Sequence, residues 1–276
     1  MSSHPLGFRS PVVVMAFGGW NDAGDAASGV LHHLREHYPT EFMFDIDAED
    51  YFDYQATRPM VRSTPGGRVL SWPRITVTKV ALPDRDLVVF EGPEPSLYWR
   101  RFTAELVTEL KQIGPETIVL LGAMLSDTPH SRPLPLTGCA HDEGLAKRLG
   151  LQPSGYEGPT GIVGVLADAF ERLGLPVVSL WTVVPHYVAN PPSPKATKAL
   201  LNALENVLGA PLDLGRLPEQ ITEWEQKVNE LASDDTEIAD YIASLESLSD
   251  KVEQSEGTGE EIAAAFERYL RGREDG

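Results

Sequence analysis

The sequence predicts a three-layer αβα protein with a mainly parallel central sheet, because short apolar segments alternate with helical patterns along most of the chain. Four segments are rich in β-branched residues and apolar enough for strands buried on both faces: Pro11–Phe17, Asp86–Phe90, Ile118–Leu121 and Pro176–Val184. Apolar residues at helical spacing follow these segments. Such alternation is typical of a parallel sheet covered by helices on both faces.

The glycine-rich turn after the first strand carries a candidate site. Gly18 and Gly19 permit positive φ values and close backbone approach, and Asn21 or Asp22 can cap the following helix. Such a turn can also cradle an anion, which makes Gly18, Gly19, Asn21 and Asp22 candidate ligand-binding residues. We favour a capped turn, because carboxylates at Asp22 and Asp25 stand where the anion would bind and no phosphate-binding fingerprint is present.

Further elements are predicted at the margin of the sheet. Phe42–Ile46 is a short strand candidate, and Thr64–Gly67 has the composition of a turn. The runs Arg68–Trp72 and Ile75–Leu82, on either side of Pro73, resemble a hairpin.

Helices are predicted between the strands. Ser96 is a suitable cap for a helix over Leu97–Ile113. Other helices are expected at about Asp142–Leu149, after Gly161 and over Lys195–Leu208.

Polar side chains follow three of the predicted strands: Glu91, Ser126, Asp127, His130, Arg132, His186 and Tyr187. The carboxyl ends of parallel strands meet at one edge of a sheet, where open α/β sheets usually bind ligands. We therefore expect these side chains to converge there with the glycine-rich turn.

Two interpretations of this polar cluster are open. The candidate catalytic residues are Glu91, Asp127, His130 and His186, with His141 near them in sequence. Histidines and carboxylates can form a general acid–base pair, and Ser126 and Arg132 are candidate ligand-binding residues beside them. The structural interpretation is that Asp127 and His130 bond to loop backbone and that Arg132 pairs with an acid such as Glu91.

The motifs of known chemistry favour the structural interpretation of the cluster. No nucleophile elbow surrounds a serine, so Ser126 lacks the context of a hydrolase nucleophile. No zinc-binding spacing of histidine and cysteine is present, so neither a metal nor another cofactor is predicted.

The composition excludes two classes of partner. The chain holds 41 acidic and 23 basic residues, a formal charge of −18 that repels nucleic acid and anionic membranes. The lone Cys139 has no partner for an internal disulfide, and the sequence shows neither a signal peptide nor an apolar run of about 20 residues. We therefore expect a cytoplasmic protein.

The last part of the chain is acidic and helical. Residues 213–276 contain 18 acidic and 6 basic residues, a net charge of −12. Apolar stripes over Ile221–Leu231 and Ile238–Leu248 predict an antiparallel helical pair, and a capping box at Thr258–Glu261 predicts a final helix. The sequence thus divides into a predicted α/β domain, residues 1–212, and a predicted helical extension, residues 213–276.

Five motifs occur in this order: FGGWNDAGDAAS (Phe17–Ser28), FEGPEP (Phe90–Pro95), LLGAMLSDTPHSRPLPLTG (Leu120–Gly138), YEGPTGIVGVL (Tyr156–Leu166) and SLWTVVPHYVANPPSPKAT (Ser179–Thr197). Together they resemble the proteasome assembly chaperone 2 family, in its bacterial branch. The resemblance spans about Pro11 to Leu208. The run WEQKVNEL at Trp224–Leu231 is similar to the tail of that branch.

The resemblance implies a fold related to nucleoside phosphorylases and peptide hydrolases and a role in building proteasomes. It implies two kinds of partner: further copies of the chain, in a small homo-oligomer with a trimer as one option, and proteasome subunits. No catalytic residues are established for the family, so none are transferred. Aromatic residues at Trp72, Tyr98, Trp99 and Trp181 agree with self-association or with a core position.

Two functional hypotheses follow. We favour a non-enzymatic assembly or interaction protein that holds a partner or copies of itself. The alternative is a small-molecule hydrolase or phosphorylase acting at the strand-end cleft. An open cleft with converging histidine and carboxylate groups favours chemistry, whereas a cleft filled by the chain's own side chains favours binding.

Overall fold

A computed structural model describes residues 7–46, 49–140, 143–151, 157–233 and 235–254. The strands are β1 (Val12–Gly18), β2 (Thr40–Ile46), β3 (Met60–Thr64), β4 (Gly67–Ser71), β5 (Ile75–Ala81), β6 (Asp86–Pro93), β7 (Thr117–Ser126), β8 (Leu136–Ala140) and β9 (Val177–Pro185). The helices are α1 (Ala26–His37), α2 (Trp99–Ile113), α3 (Glu143–Leu149), α4 (Ile162–Arg172), α5 (Pro194–Leu208), α6 (Leu217–Ser233) and α7 (Thr236–Gln254).

The central sheet has seven strands in the order β2-β5-β6-β1-β7-β9-β8. Strand β1 runs parallel to both β6 and β7, so that Val14 lies beside Val89 on one side and Val119 on the other. Strand β5 is antiparallel to β2 and β6. The predicted α/β fold, with a mostly parallel sheet, helices around it and further helices at the C-terminal end, is confirmed.

The predicted hairpin at the sheet margin is wrong in its pairing. The turn at Thr64–Gly67 joins β3 to β4, and these two strands form a separate two-stranded sheet. The run Ile75–Leu82 instead supplies β5, between β2 and β6. The physical reason is burial: β5 places Ile75, Val77 and Val80 in the core, whereas β4 is almost wholly exposed.

Two smaller differences concern a helix start and a missed strand. Helix α2 begins at Trp99 after Tyr98, which has a left-handed backbone conformation, and no side chain caps it. The prediction that Ser96 caps this helix is therefore wrong. Strand β8 occupies a segment, Leu136–Ala140, that the sequence did not mark as a strand. A lone edge strand of five residues, including Gly138, gives little periodic signal.

The chain forms two compact units. The first comprises the chain up to Asn21 together with Leu31–Leu121 and Thr160–Ser179. Its core contains Phe17 edge-to-face with Phe102, with ring centroids 6.0 Å apart, and Tyr51 edge-to-face with Phe102 at 5.3 Å.

The second unit comprises Asp22–Val30, Gly122–Pro159 and the chain from Leu180 onward. In it, Gly122 lets the ring of Trp181 pack directly on the backbone of β7, since a Cβ at this position would lie 2.5 Å from that ring. The described residues after 212 belong to the same compact unit as the described residues of 122–159, while the predicted boundary of an independent domain stays a prediction.

The C-terminal helices follow the predicted pattern. Helices α6 and α7 pack on each other, and α6 also packs on α5. Their buried apolar side chains are Leu217, Val228, Ile242 and Leu245. Three predicted features lie outside the described residues: the final helix after Thr258, the helix start at Asp142, and Tyr156. None of the described helices is both long and apolar enough to cross a membrane.

Candidate functional site

The glycine-rich turn is a helix cap in which Asp22 is the capping residue. Asp22 Oδ1 accepts a hydrogen bond of 2.6 Å from the backbone N–H of Ala27, and Oδ2 accepts one of 2.5 Å from the Ser28 hydroxyl. Burial raises the pKa of the Asp22 carboxyl, and its hydrogen bonds from Ser28 and Ala27 oppose that shift. The predicted cap at the start of α1 is therefore present.

Asn21 lies in the other compact unit and contacts the start of α4. Its Nδ2 donates a hydrogen bond of 2.7 Å to Glu94 Oε1, which also accepts the backbone N–H of Ile162 at 2.7 Å. Of the two predicted glycines, Gly19 has a positive φ of 106°, while Gly18 does not need one. Glu94, which the sequence did not single out, thus links the turn to α4.

Glu91 pairs with Arg35 of α1 rather than with Arg132. Arg132 instead bonds to Asp250 of α7, with Nε to Oδ1 at 2.7 Å and Nη2 to Oδ2 at 3.0 Å. The pairing of Arg132 with Glu91 in the structural interpretation is therefore corrected. The physical reason is that α7 brings the carboxylate of Asp250 to the loop after β7, although Asp250 is 118 positions away in the sequence.

His130 is buried, with 1% of its surface exposed, and its polar atoms are all bonded. Its backbone N–H donates to the Tyr187 hydroxyl at 2.7 Å, and its Nδ1 lies 2.9 Å from the same oxygen. Its Nε2 lies 3.0 Å from Asn229 Oδ1 of α6. Its carbonyl oxygen accepts a hydrogen bond from Lys195. The ring is thus enclosed by groups of its own chain.

These contacts fix the proton arrangement of a neutral His130. Asn229 Oδ1 has only lone pairs to offer, so Nε2 must carry the proton that it donates. In the neutral ring Nδ1 is then the acceptor, and the Tyr187 hydroxyl donates to it while accepting the backbone N–H of His130. Burial raises the pKa of Tyr187 to about 12, so this hydroxyl keeps its proton at neutral pH.

Two more polar contacts join the C-terminal helices to this region. Ser131 donates to Glu246 of α7, and Lys195 Nζ donates to Glu225 Oε1 of α6 at 2.6 Å. The hydrogen bonds from Arg132 lower the pKa of Asp250 below its ordinary value. The predicted polar cluster is therefore largely occupied by residues of α6 and α7.

Asp127 and His186 form the more accessible part of the cluster. His186 Nδ1 lies 2.9 Å from Asp127 Oδ1, and the Tyr241 hydroxyl of α7 donates to the same oxygen at 2.7 Å. The side chains of Asp127 and His186 are 46% and 41% exposed. Tyr187 stacks edge-on between the two histidines, with ring centroids 5.9 Å from His130 and 6.0 Å from His186.

The structure brings together only part of the predicted site. Asp127, His130 and His186 are close neighbours in the second unit, as the sequence predicts. Arg132, in the same loop, bonds to Asp250 of α7. Gly18, Gly19, Asn21 and Glu91 belong to the first unit, so the common rim stays a prediction. The ligand-binding roles proposed for Gly18, Gly19, Asn21, Asp22, Ser126 and Arg132 also stay predictions.

These contacts give little support to a hydrolase site. No hydrogen bond between described residues joins Ser126 to a histidine. Over the described ranges, no group of three or more His, Cys, Asp or Glu side chains is placed to hold a metal ion. His141 lies outside the described residues.

Sequence reasoning placed Tyr187 at the end of its strand but missed its hydrogen bonds to His130, and it missed the other residues that complete the cluster: Lys195, Glu225, Asn229, Tyr241, Glu246 and Asp250. They lie between 57 and 118 positions from the loop residues they contact, apart from the 30-position pair of Lys195 and Glu225. The one sequence signal for these contacts was the helical spacing of apolar residues in α6 and α7, which predicted that one face of each helix is packed.

Comparison with known proteins assigns the chain to a family. The sequence profile of the PAC2 family matches residues 16–232. The chain belongs to the PAC2 family. The match includes the whole polar loop after β7 and most of α6, so the resemblance predicted from the sequence motifs is confirmed.

Solved structures of PAC2 proteins share this fold over most of the chain. A proteasome-assembly chaperone homologue from Mycobacterium tuberculosis is 44% identical, with a TM-score of 0.77, and the match covers 84% of this chain and 99% of that one. A PAC2 family protein from Streptomyces avermitilis is 47% identical, with a TM-score of 0.78 and the same coverage.

A more distant structure, PbaB, an archaeal proteasome activator from Pyrococcus furiosus, is 15% identical, with a TM-score of 0.66 over 81% of this chain and 94% of that one. At this identity the likeness shows the fold alone. No curated protein matches the chain.

Proposed function

We propose that this PAC2 protein is a non-enzymatic assembly or interaction protein that binds protein partners related to the proteasome. The observation that carries the proposal is the enclosure of His130, the most buried residue of the candidate catalytic set. Both of its ring nitrogens are bonded to Tyr187 and Asn229, and α6 covers it. A general base needs a free nitrogen within reach of a substrate proton, so these contacts favour a structural role.

The class of partner is inferred from the relatives. One 44%-identical structure is described as a proteasome-assembly chaperone homologue, and a more distant fold relative as a proteasome activator. Neither description names a contact residue. The proposal for this chain is therefore limited to a proteasome subunit or an assembly intermediate as the partner.

Self-association is the second part of the proposal. Trp72 and Tyr98, two of the four aromatic residues predicted to favour it, are 47% and 64% exposed. Large aromatic side chains at a surface are common anchors of protein interfaces. A small homo-oligomer, with a trimer as one option, is consistent with these side chains.

Co-production with proteasome subunits tests the assembly role. The full chain would be produced with the proteasome α and β subunits of its own organism, and assembly would be followed on native gels. We expect the tagged chain to capture subunits or partly assembled particles and to increase the rate at which complete particles form. A control protein of similar size and net charge should do neither.

Two results would contradict the assembly role. One is a chain that captures no proteasome subunit and leaves the assembly rate unchanged. The other is a turnover of small phosphate, ester or glycosyl substrates by the purified chain that Asp127→Asn abolishes without changing the circular dichroism spectrum. The second result would restore the hydrolase or phosphorylase alternative.

A further inference from the structure

The two-stranded sheet formed by β3 and β4 is an exposed apolar surface. Every residue of β3 and all but the last of β4 are exposed. The apolar members are Met60 (59% exposed), Val61 (49%), Val69 (51%) and Leu70 (50%), with Trp72 (47%) directly after β4. We call residues 60–72 the arginine hairpin, because they also carry Arg62 and Arg68.

Both faces of the arginine hairpin combine apolar and cationic side chains. Val61 lies opposite Leu70, and Arg62 opposite Val69, so these neighbouring cross-strand pairs point to opposite faces. A two-stranded hairpin by itself is marginally stable in water unless it packs on something. The exposed apolar pairs are therefore expected to be covered in the functional state.

The charge of the hairpin is opposite to that of the rest of the molecule. Residues 54–75 contain four arginines and no acidic residue, in a chain of net charge −18. Arg74 pairs with Asp45, whereas none of the ion pairs between described residues includes Arg58, Arg62 or Arg68. The hairpin thus offers free cationic groups beside apolar ones.

A surface with the complementary character lies at the turn between α6 and α7. Leu231 near the end of α6 is 65% exposed, and Ile238 near the start of α7 is 38% exposed. Exposed acids flank them at Glu230 and Glu237, and Asp235 caps α7 through the backbone N–H of Glu237. We call residues 230–233 and 235–238 the acidic turn.

We propose that the arginine hairpin of one copy docks on the acidic turn of a second copy. Copies with a charge of −18 repel each other unless unlike charges meet, and these two surfaces bring arginine to glutamate and apolar to apolar residues. A contact of hairpin on hairpin, or of acidic turn on acidic turn, would instead place like charges opposite each other and weaken binding. The proposal rests on the self-association part of the proposed function.

Docking of two different surfaces has a consequence for symmetry. A head-to-tail contact of this kind leaves one hairpin and one acidic turn unused at the ends of any open chain of copies. It is completed when the copies close into a ring. A two-fold dimer also completes the pairing, when the hairpin of each copy meets the acidic turn of the other, so the proposal fixes the paired surfaces and leaves the number of copies to the mass measurement.

Charge reversal on each surface tests the pairing in the full chain. The variants are Arg62→Glu with Arg68→Glu on the hairpin, Glu230→Lys with Glu237→Lys on the acidic turn, and all four changes in one chain. The mass of each is measured by light scattering after size exclusion. We expect the wild type at a multiple of 30.2 kDa, each single-surface variant at 30.2 kDa, and the four-change variant restored to the wild-type mass.

The matched control reverses two exposed charges on another element, Arg100→Glu with Lys111→Glu on α2, and should keep the wild-type mass. If the hairpin variant fails to fold, the wild type itself supplies the test. Its mass should fall as salt rises from 0.05 M to 1 M, where the screening length is about 3 Å, because the proposed contact depends on unlike charges.

The outcomes separate the two proposals. A wild type that is 30.2 kDa at every concentration overturns both this docking and the self-association part of the proposed function. An oligomeric wild type whose mass is unchanged by either reversal overturns the docking alone. The docking is likewise overturned if only the hairpin variant dissociates, or if the four-change variant stays a monomer.

Discussion

At the scale of single residues, burial decides what the histidines can do. His130 has 1% of its surface exposed and is bonded through each ring nitrogen, whereas the His186 side chain is 41% exposed and contacts Asp127. The same residue type, 56 positions apart in one polar cluster, therefore has different environments. Sequence spacing alone gives no measure of this difference, because burial depends on which helices cover the loop.

Replacing His130 by alanine tests its structural role. We expect His130→Ala to lower the free energy of unfolding by about 1–3 kcal/mol, because the buried His130 ring and its hydrogen bonds to Tyr187 and Asn229 are lost. Urea denaturation measures the change. His32→Ala, at an exposed histidine that pairs with Glu36 within α1, should change it by less than about 0.5 kcal/mol. Equal effects of the two substitutions would argue against the role assigned to His130.

Asp86 provides a residue-scale prediction on pH dependence. Its carboxylate is buried and accepts hydrogen bonds from the Arg9 backbone N–H at 2.9 Å and the Arg9 guanidinium at 2.6 Å. Burial alone would raise the pKa of Asp86, but the bonds from Arg9 and the charge of Lys79 outweigh it and lower the pKa. The ionised group thus stabilises the folded state above its ordinary pKa, and this contribution is lost as the pH falls through the lower folded value.

The measurement is the unfolding free energy of the wild type and of Asp86→Asn between pH 5 and pH 2. The asparagine variant lacks the titrating group, so we expect it to be less stable at pH 5 and to lose less stability on acidification. If the two proteins respond identically to acid, the Arg9–Asp86 pair has no role in acid stability.

At the scale of elements, strong periodicity predicts well and weak periodicity fails. Strands β1, β6, β7 and β9 were predicted because each buries a continuous apolar run, and helices α5, α6 and α7 because each has an apolar stripe. The pairing of β5 was mispredicted because neighbouring strands in a sequence need not pair. Only the competition for burial between β4 and β5 decides which one joins the central sheet.

Helix α7 is held to the loop after β7 by polar contacts that can be removed one at a time. We expect Arg132→Ala to increase amide hydrogen exchange in α7 by several-fold while leaving exchange in β1 and β6 unchanged, since the pair with Asp250 is lost. The control is Arg172→Ala, which removes a pair with Asp168 within α4 and should leave α7 unchanged.

After correction for the pH dependence of intrinsic amide exchange, acid should lower the protection of α7 as the Arg132 substitution does. The pKa of Asp250 is lowered by Arg132, so the pair contributes above the ordinary aspartate pKa of about 3.9 and is lost as the pH falls below it. Exchange in α7 that is insensitive to both acid and Arg132→Ala would show that the apolar contacts of α6 and α7 hold the helix without this pair.

At the scale of the whole molecule, the acidic helices are predicted to be part of the folded body. Asn229, Tyr241, Glu246 and Asp250 satisfy side chains of the loop after β7, and Glu225 satisfies Lys195. A chain ending at Leu212 would leave all of these partners without their bonds. We expect this shorter chain to unfold at a lower temperature than the full chain and to be less soluble at the same concentration.

Differential scanning calorimetry and solubility at matched concentration check this prediction. A fragment that unfolds at the temperature of the full chain would show that residues 213–276 form an independent extension, as the sequence alone suggested. A lower unfolding temperature would place the boundary of the folded body beyond Leu212.

The sequence by itself determined the α/β class, most of the strands and helices, the capped turn at Asp22 and the family, because these depend on local periodicity, capping chemistry and motif order. Only the tertiary structure decided that His130 bonds to Tyr187 and Asn229 and that Arg132 bonds to Asp250, at separations of 57 to 118 positions. Such contacts form where α6 and α7 bury their apolar faces. The pattern of a short segment does not predict which distant polar groups will then come into contact. The same burial left the β3–β4 hairpin outside the central sheet and exposed.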